Sequence, residues 1–317
     1  MRVSTNLLYS QKMNGIFGAQ AKWMQHGEQL STGKRVINPS DDPLAASQNI
    51  MVAQSESQNQ QYVTARIFAK NTMSTQMDTI ASAGSVTRNV FATLVAAADE
   101  QSDHDRASYA QELEGLKQQL LNLGNKTDGN GRYIFAGYKT DTPPFEANDN
   151  GKGKVHYKGG HEAISQRVDD NRTMVIAHTG QKVFLSTTSN PIPDAEPDIF
   201  AAIDLAIEGL RRPFTEASEA ERDESLALIN KANRSIRNSI NNFSSAEAEL
   251  GLQLQEMDQL DALAGERSIA NKVRMGELMD ADLVSAISGY YQEQAALQAS
   301  YKAFSDLKGM SLFEMYR

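Results

Sequence analysis

The chain has no cysteine among its 317 residues. It therefore has no disulfide, no thiol nucleophile and no cysteine-ligated metal. Long apolar runs are also missing, since the longest, Val90–Ala98, is far too short to cross a bilayer. Polar residues occupy Ser4–Asn6, where a secretory signal would have its apolar core. We therefore expect no cleaved secretory signal, no membrane anchor and no membrane partner.

Basic residues are also fewer than acidic residues. Lys and Arg number 31 against 40 Asp and Glu, which gives a net charge of −9. A nucleic-acid surface needs a basic stripe, and no such stripe is visible, so we expect no nucleic-acid partner. The apolar content of 40% and charged content of 22% are ordinary for a chain that buries a sizeable core.

The most informative pattern present is an apolar seam near the C-terminus. Its residues follow one another at alternating spacings of four and three, which is typical of a coiled-coil helix: Leu283, Ile287, Tyr290, Gln294, Leu297, Tyr301 and Phe304. A second amphipathic helix near the N-terminus is the expected partner, and its apolar face comprises Met13, Ile16, Phe17, Gln20, Trp23, Met24 and Leu30. We expect the two helices to form an assembly seam, with Leu297 buried only between subunits. Its members are Ile16, Trp23, Leu30, Leu283, Ile287, Tyr290, Leu297, Tyr301 and Phe304.

The N-terminal helix is interrupted by glycines. These glycines are Gly15, Gly18, Gly27 and Gly33. Each interior glycine costs a helix roughly 1 kcal/mol relative to alanine. The helix is therefore marginal alone, and we expect neighbouring subunits to complete it.

Helix signals occur again further along the chain. In the segment Pro39–Pro43, a proline ends the preceding element and acidic residues that can cap a helix follow it. This predicts the start of a long helix. A further helix is predicted to end at Gly124, and the longest seam of the chain runs from Leu226 to Ala264.

A segment rich in glycine, proline, asparagine and aspartate lies between these helices. It contains short β-type runs separated by turns. The predicted strands are Tyr133–Ala136, Lys154–Tyr157, Ile164–Val168, Thr173–Ala177 and Lys182–Leu185. We expect this segment to be a separable module, because the helical seams lie outside it.

The predicted fold is therefore mainly α with a β-rich insert (α+β), an elongated helical coiled-coil bundle. The expected domains are an N-terminal assembly helix (1–42), two halves of a helical core (43–126 and 198–276), a β-rich outer insert (127–197) and a C-terminal assembly helix (277–317). This nesting brings the two terminal helices together.

Several stretches resemble a known family. Leu30–Asp42, with the letters LSTGKRVINPSDD, resembles the N-terminal signature of flagellins, and Met279–Asp282 with Phe313–Arg317 resembles the C-terminal counterpart. Gly131–Gly137, with the letters GRYIFAG, and the later Gly180–Phe184 are similar to the flagellar hook-associated protein 3 family, a sister of flagellin. The resemblance covers essentially the whole chain.

The resemblance implies an extracellular protein of the bacterial flagellum, exported through the flagellar type III apparatus and located at the hook–filament junction. The implied partners are flagellin, hook-associated protein 1, further copies in a ring-like layer and an export chaperone. The flagellin-like terminal helices would assemble and the insert would face outward. No catalytic, cofactor-binding or metal-binding residue is implied.

The remaining patterns favour ordinary structural roles. His156 and His161, with Asp169 and Asp170 beyond them, are better explained as surface residues than as metal ligands. Asp128–Gly131 predicts a tight turn, because it lacks most calcium-loop ligands. No nucleophile, base and orienting residue converge in the sequence, so we expect no enzyme.

Two other functions remain open at the level of sequence. One is a type III secreted coiled-coil adhesin or effector, which binding to a host ligand would reveal. The other is an enzyme with its chemistry grafted onto the insert, which a hydrolase screen would detect.

Overall fold

The computed structural model describes residues 5–99, 102–147 and 153–309. Its helices are α1 (Thr5–Thr32), α2 (Pro43–Ala98), α3 (Asp103–Gly124), α4 (Gly180–Phe184), α5 (Ile199–Arg211), α6 (Glu219–Met279) and α7 (Leu283–Gly309). Its strands are β1 (Phe145–Ala147), β2 (Val155–Tyr157), β3 (Ile164–Asp169) and β4 (Arg172–Ala177). The predicted fold class, mainly α with a β-rich insert, is confirmed.

The chain divides into two compact units. The terminal unit comprises residues 1–60 and 265–317, and the central unit comprises residues 61–264. Both boundaries fall inside helices, so α2 and α6 each contribute to both units.

The predicted helix boundaries at Pro43 and Gly124 are confirmed. The Asp42 carboxylate accepts a hydrogen bond from the backbone N–H of Ala45 at 3.0 Å, which satisfies one of the free donors at the start of α2. The predicted seam from Leu226 to Ala264 lies entirely within α6.

The insert contains two antiparallel pairs of strands. Strand β1 pairs with β2, and β3 pairs with β4. The predicted strands at Lys154–Tyr157, Ile164–Val168 and Thr173–Ala177 correspond to β2, β3 and β4. The turn predicted at Asp128–Gly131 is also present, since the Asp128 carboxylate accepts hydrogen bonds from the backbone of Asn130 and Arg132 and Gly131 has φ of +79°.

Two predicted strands are wrong. Tyr133–Ala136 forms turns with one isolated bridge from Thr127 to Tyr133, and Ile134, Phe135 and Ala136 are all buried in succession. A strand would have alternated inward and outward side chains. Lys182–Leu185 lies mostly in the short helix α4, whose first turn is capped by the Thr179 hydroxyl accepting from the Lys182 N–H.

The insert and the helices of the central unit share one apolar core. The ring centroid of Phe145 in β1 lies within 5.4 Å of the ring centroids of Tyr157, Phe184 and Phe200. Phe184 in turn lies 5.3 Å from Phe243 of α6. The expectation that the insert is separable from the helical core is therefore wrong, because its apolar side chains pack directly against α5 and α6.

Polar groups also tie the insert to the long helices. The Gln76 side chain of α2 accepts from the backbone N–H of His178 at 2.7 Å and donates to its carbonyl at 2.8 Å. Arg66 of α2, with 1% of its surface exposed, donates to Asp261 of α6 at 2.5 Å and to the Val168 carbonyl of β3 at 2.7 Å. A buried guanidinium requires such partners, because an unpaired charge in the core is strongly destabilising.

Within the described ranges, no helix is long and apolar enough to span a membrane.

Candidate assembly surface

The segment that follows α1 meets the end of α6 in a short backbone ladder, which we call the terminal joint (residues 33–36 and 278–281). Lys34 and Asp280 form an antiparallel bridge, and backbone hydrogen bonds run from Arg35 to Met279 at 2.7 Å and from Ala281 to Gly33 at 2.9 Å. Gly33 has φ of +71°, a conformation that disfavours other residues, so it ends α1 and turns the chain into the ladder.

Side chains of the flagellin-like signature reinforce the terminal joint. Arg35 donates to the Leu278 carbonyl at 2.9 Å and to the Asp42 carboxylate at 3.1 Å. The backbone N–H of Ala45, followed by the Arg35 guanidinium, holds the pKa of Asp42 below its usual range. Val36 is buried among Ala45, Ala46 and the side chains of Leu278 and Met279. The signature residues therefore link the end of α1, the start of α2 and the end of α6.

Beyond the joint, α1 and α7 pack against each other as an antiparallel pair, which we call the terminal pair. Trp23 and Tyr290 have ring centroids 5.5 Å apart, and Tyr9 and Phe304 are 5.1 Å apart. Nearer the joint, a Cβ atom at Gly27 would lie 3.5 Å from the Tyr290 ring, in ordinary van der Waals contact. The prediction that the two terminal helices contact each other is confirmed.

The two helices approach each other closely at a glycine of α7. A Cβ atom at Gly289 of α7 would lie 2.8 Å from the His26 ring of α1, too close for an unshifted contact. Lys22 and Glu293 form an exposed ion pair across the helices at 3.8 Å, which contributes little to stability. Packing of apolar and aromatic side chains, rather than this ion pair, therefore holds the terminal pair together.

The nine predicted seam residues fall on two different faces. Ile16 is buried, and five others are partly buried on the faces where α1 and α7 meet: Trp23, Leu30, Tyr290, Leu297 and Phe304. The remaining three, Leu283, Ile287 and Tyr301, are 52%, 46% and 51% exposed. A spacing of four and three on α7 does not distinguish these faces, because they are adjacent around the helix.

Leu297 corrects one specific expectation. It lies seven residues from both Tyr290 and Phe304, on the face of α7 that meets α1, and is partly buried in the single chain. It is therefore not buried only between subunits.

Sequence reasoning missed the outward face of the terminal pair. Phe17 and Met24 were assigned to the same apolar face as Ile16 and Trp23, yet both are mainly exposed. Tyr291, next to Tyr290, is also mainly exposed. The width of the apolar stripe in the sequence could have revealed this outward face. One partner helix buries a narrower stripe than the apolar residues of α1 and α7 occupy.

The terminal unit carries most of the exposed large apolar side chains of the described residues. They include Phe17, Met24, Leu44, Ile50, Met51, Ile269, Val273, Leu283, Val284, Ile287, Tyr291 and Tyr301. Scattered exposed apolar residues are normal, so it is their concentration in one unit that makes this unit the candidate assembly surface.

Polar contacts tie α2 to α6 within the same unit. The Glu56 carboxylate accepts from the Ser268 hydroxyl at 2.6 Å and from the Asn271 amide at 3.1 Å. These hydrogen bonds, that of Ser268 above all, hold the pKa of Glu56 below its usual range.

Residues considered for metal binding lie apart in ordinary settings. His161 is hydrogen bonded to Gln181 at 2.6 Å, and Asp170 accepts from the Tyr62 hydroxyl at 3.1 Å. Across the described part of the chain, no group of three or more His, Asp or Glu side chains is placed to hold a metal ion.

Comparison with known proteins agrees with the architecture. Residues 3–140 match the bacterial flagellin N-terminal helical region. The chain is 48% identical to flagellar hook-associated protein 3 of Escherichia coli K12, over 99% of each chain. It is 47% identical to the protein of the same name from Salmonella typhimurium LT2, over 100% of each.

A solved structure shows the same fold. The crystal structure of the flagellar junction protein from Legionella pneumophila superposes with a TM-score of 0.60. The match covers 74% of this chain and 100% of that one, at 16% identity.

The C-terminal signature at Phe313–Arg317 lies outside the described residues. The near-complete alignment at almost half identity is decisive: this chain belongs to the flagellar hook-associated protein 3 family.

Proposed function

We propose that the chain is a structural subunit of the bacterial flagellum that joins the hook to the flagellin filament outside the cell. The names of its relatives, hook-associated protein 3 and a flagellar junction protein, support this role. The match to the flagellin N-terminal helical region supports assembly by the same kind of helix as in the filament.

The observation that carries the proposal is the exposed apolar surface of the terminal unit. Burying apolar area contributes about 25 cal/mol per Å², so leaving these side chains in water forgoes stability that a neighbouring molecule can supply. We assign the surface to contacts with hook-associated protein 1, with flagellin and with further copies of this chain in a ring-like layer. An export chaperone would cover the same side chains before assembly.

The assembly seam predicted from sequence is retained in this proposal with two roles. Ile16, Trp23, Leu30, Tyr290, Leu297 and Phe304 hold the terminal pair together. Leu283, Ile287 and Tyr301 contact neighbouring subunits. The role is structural rather than catalytic, and flagellar relatives do not favour the alternative of a secreted adhesin or effector.

Substitution of one exposed residue tests the proposal. In a strain lacking this gene, Ile287→Asp should fail to restore swimming and should release unpolymerised flagellin into the medium. The matched control is Val95→Asp on α2 of the central unit, because Val95 is 45% exposed against 46% for Ile287. The control should restore swimming.

Circular dichroism of the purified variants establishes whether both are folded. If folded Ile287→Asp supports normal swimming, the terminal surface is not the assembly surface. If the strain lacking this gene swims normally and keeps its flagellin in filaments, the junction role itself is wrong.

A further inference from the structure

His178 is a buried titratable residue next to the short helix α4. Its side chain is 1% exposed, and it lies between the end of β4 and the start of α4. The Gln76 side chain of α2 accepts from its backbone N–H and donates to its backbone carbonyl. The backbone of His178 is therefore anchored, so a change in the charge of its ring acts on the side chains around it.

Two charged side chains lie beside the ring, one at each nitrogen. The Lys182 ammonium of α4 is 3.4 Å from Nδ1, and a carboxylate oxygen of Glu249 on α6 is 3.5 Å from Nε2. Lys182 and Glu249 also form an ion pair with each other at 2.7 Å. Helix α2 presents the neutral side chain of Gln76 here, so Lys182 and Glu249 are the charges that act on His178.

The contact with Lys182 determines which nitrogen of the neutral ring carries the proton. An ammonium can only donate a hydrogen bond, so Nδ1 of His178 accepts and the proton of the neutral ring is on Nε2. Nε2 has no hydrogen-bond partner among the described residues, although Glu249 is close to it. A second proton can therefore bind only at Nδ1, the atom that accepts from Lys182.

Protonation at Nδ1 reverses both contacts of the ring. Nδ1 becomes a donor that faces the positive charge of Lys182, while the charged ring attracts Glu249 through Nε2. The side chains of Lys182 and Glu249 are 50% and 41% exposed, so both can move. Glu249 then exchanges Lys182 for His178.

The ion pair that would break helps to hold α4 against α6. Two further contacts do the same: the Asn242 amide of α6 donates to the carbonyls of Lys182 and Val183 at 2.9 and 2.8 Å, and the Phe184 ring packs in the core. An imidazolium is also unfavourable at a buried position. Protonation of the ring therefore weakens the attachment of α4 in particular.

We propose that His178, Lys182 and Glu249 form an acid-operated latch, which holds α4 against α6 and opens when a proton binds to Nδ1 of His178. The latch lies within the central unit and does not depend on the junction role. It converts acidification into local opening at the end of the insert, before the rest of the core unfolds.

The pH range of the latch follows from proton binding in its two states. Burial first, and Lys182 next, hold the pKa of His178 below 6.5 in the folded chain, and Glu249 opposes them. The open state binds the proton more readily than the closed state. Opening should therefore rise by up to about tenfold for each pH unit below 6.5, until the folded pKa is reached.

Amide hydrogen exchange of α4 tests the latch. Exchange of the full-length protein is measured from pH 7.5 to pH 5.0, with exchange times scaled to the intrinsic rate at each pH. Protection of α4 should fall with pH in the unmodified protein and stay constant in His178→Gln. The matched control is His161→Gln, because His161 is an exposed histidine of the insert that is hydrogen bonded to Gln181 of α4. The control should keep the pH dependence of the unmodified protein.

Two further variants test the charges and do not require His178→Gln to fold. Lys182→Met removes the charge that opposes protonation, so protection of α4 should fall less steeply with acid. Glu249→Gln removes the charge that favours protonation, so the fall should continue to lower pH. Constant protection of α4 in the unmodified protein, an undiminished fall in His178→Gln, or equal pH dependence in Lys182→Met and Glu249→Gln would overturn the latch.

Discussion

The central and terminal units contain similar helices but use their apolar residues differently. In the central unit, Phe145, Phe184, Phe200 and Phe243 contact one another in a closed core. In the terminal unit, α1 and α7 cover only part of each other, and aromatic side chains such as Phe17 and Tyr291 remain exposed. A closed core buries its apolar side chains within one chain, whereas the open helix pair leaves apolar surface in water that the proposed assembly would bury.

The largest difference between the units should appear when one ring is removed from each. Phe145→Ala leaves a cavity at the centre of the core and should cost about 4 kcal/mol in the free energy of unfolding. Phe17→Ala removes an exposed ring and should change it by less than about 0.5 kcal/mol. Urea unfolding of the monomer followed by circular dichroism measures both. Equal losses would mean that the terminal unit has a core of its own.

Ion pairs in the central unit provide a second, smaller contrast. Asp261→Ala removes the partner of buried Arg66 and of Lys70, and should cost about 2 kcal/mol because Asp261 is partly exposed. Asp258→Ala removes only an exposed contact of Lys70 and should cost less than about 0.5 kcal/mol. The same urea titration applies. If Asp258→Ala lowered the free energy of unfolding as much as Asp261→Ala does, burial of the ion pair would not explain the difference.

Independence of the terminal pair is tested at Trp23. Trp23→Ala should expose α1 and α7 to at least tenfold faster amide hydrogen exchange, while exchange in the central unit stays unchanged. Trp23→Phe is the matched control, because it keeps a ring beside Tyr290 and removes an indole N–H that lacks a hydrogen-bond partner among the described residues. Faster exchange in both units after Trp23→Ala would show that they open together.

The smallest expected effect is a pH dependence confined to the central unit. Burial, assisted by the Lys182 ammonium and opposed by Glu249, holds the pKa of His178 below 6.5. The folded state then binds fewer protons than the unfolded state, so stability should fall as pH is lowered through 6.5 toward the folded pKa. His178→Gln should flatten the curve of unfolding free energy between pH 7.5 and 5.5. An unchanged slope in this variant would assign the effect to another group.

Local signals predicted the helices well because they act over a few residues. Asp42 and Pro43 cap α2 with contacts inside one turn, and Gly124 ends α3. The insert was harder because its side chains fill the space between distant helices. Phe135 and Phe184 are buried by that core, 5.2 Å from each other, even though neither lies in a strand. Strand β1, beginning at Phe145 just after two prolines, was missed because it is short.

The candidate surface was predicted in part for the same reason. Periodicity identified α1 and α7 and indicated that they meet. Periodicity did not indicate which of two adjacent apolar stripes on each helix faces the other helix. That choice depends on which residues of the two helices meet, such as Gly289, where a Cβ atom would lie 2.8 Å from the His26 ring.

The terminal pair also has a consequence for the timing of folding. About 250 residues separate the end of α1 from the start of α7, so closing this contact joins segments that are synthesised far apart in time. During synthesis α1 emerges without its partner, while shorter-range contacts in the central unit already have theirs. A chain cut short before α7 would still contain the residues of the central core but would never present the paired helices. Under the proposed function, competence to assemble would therefore be acquired only after α7 has been made.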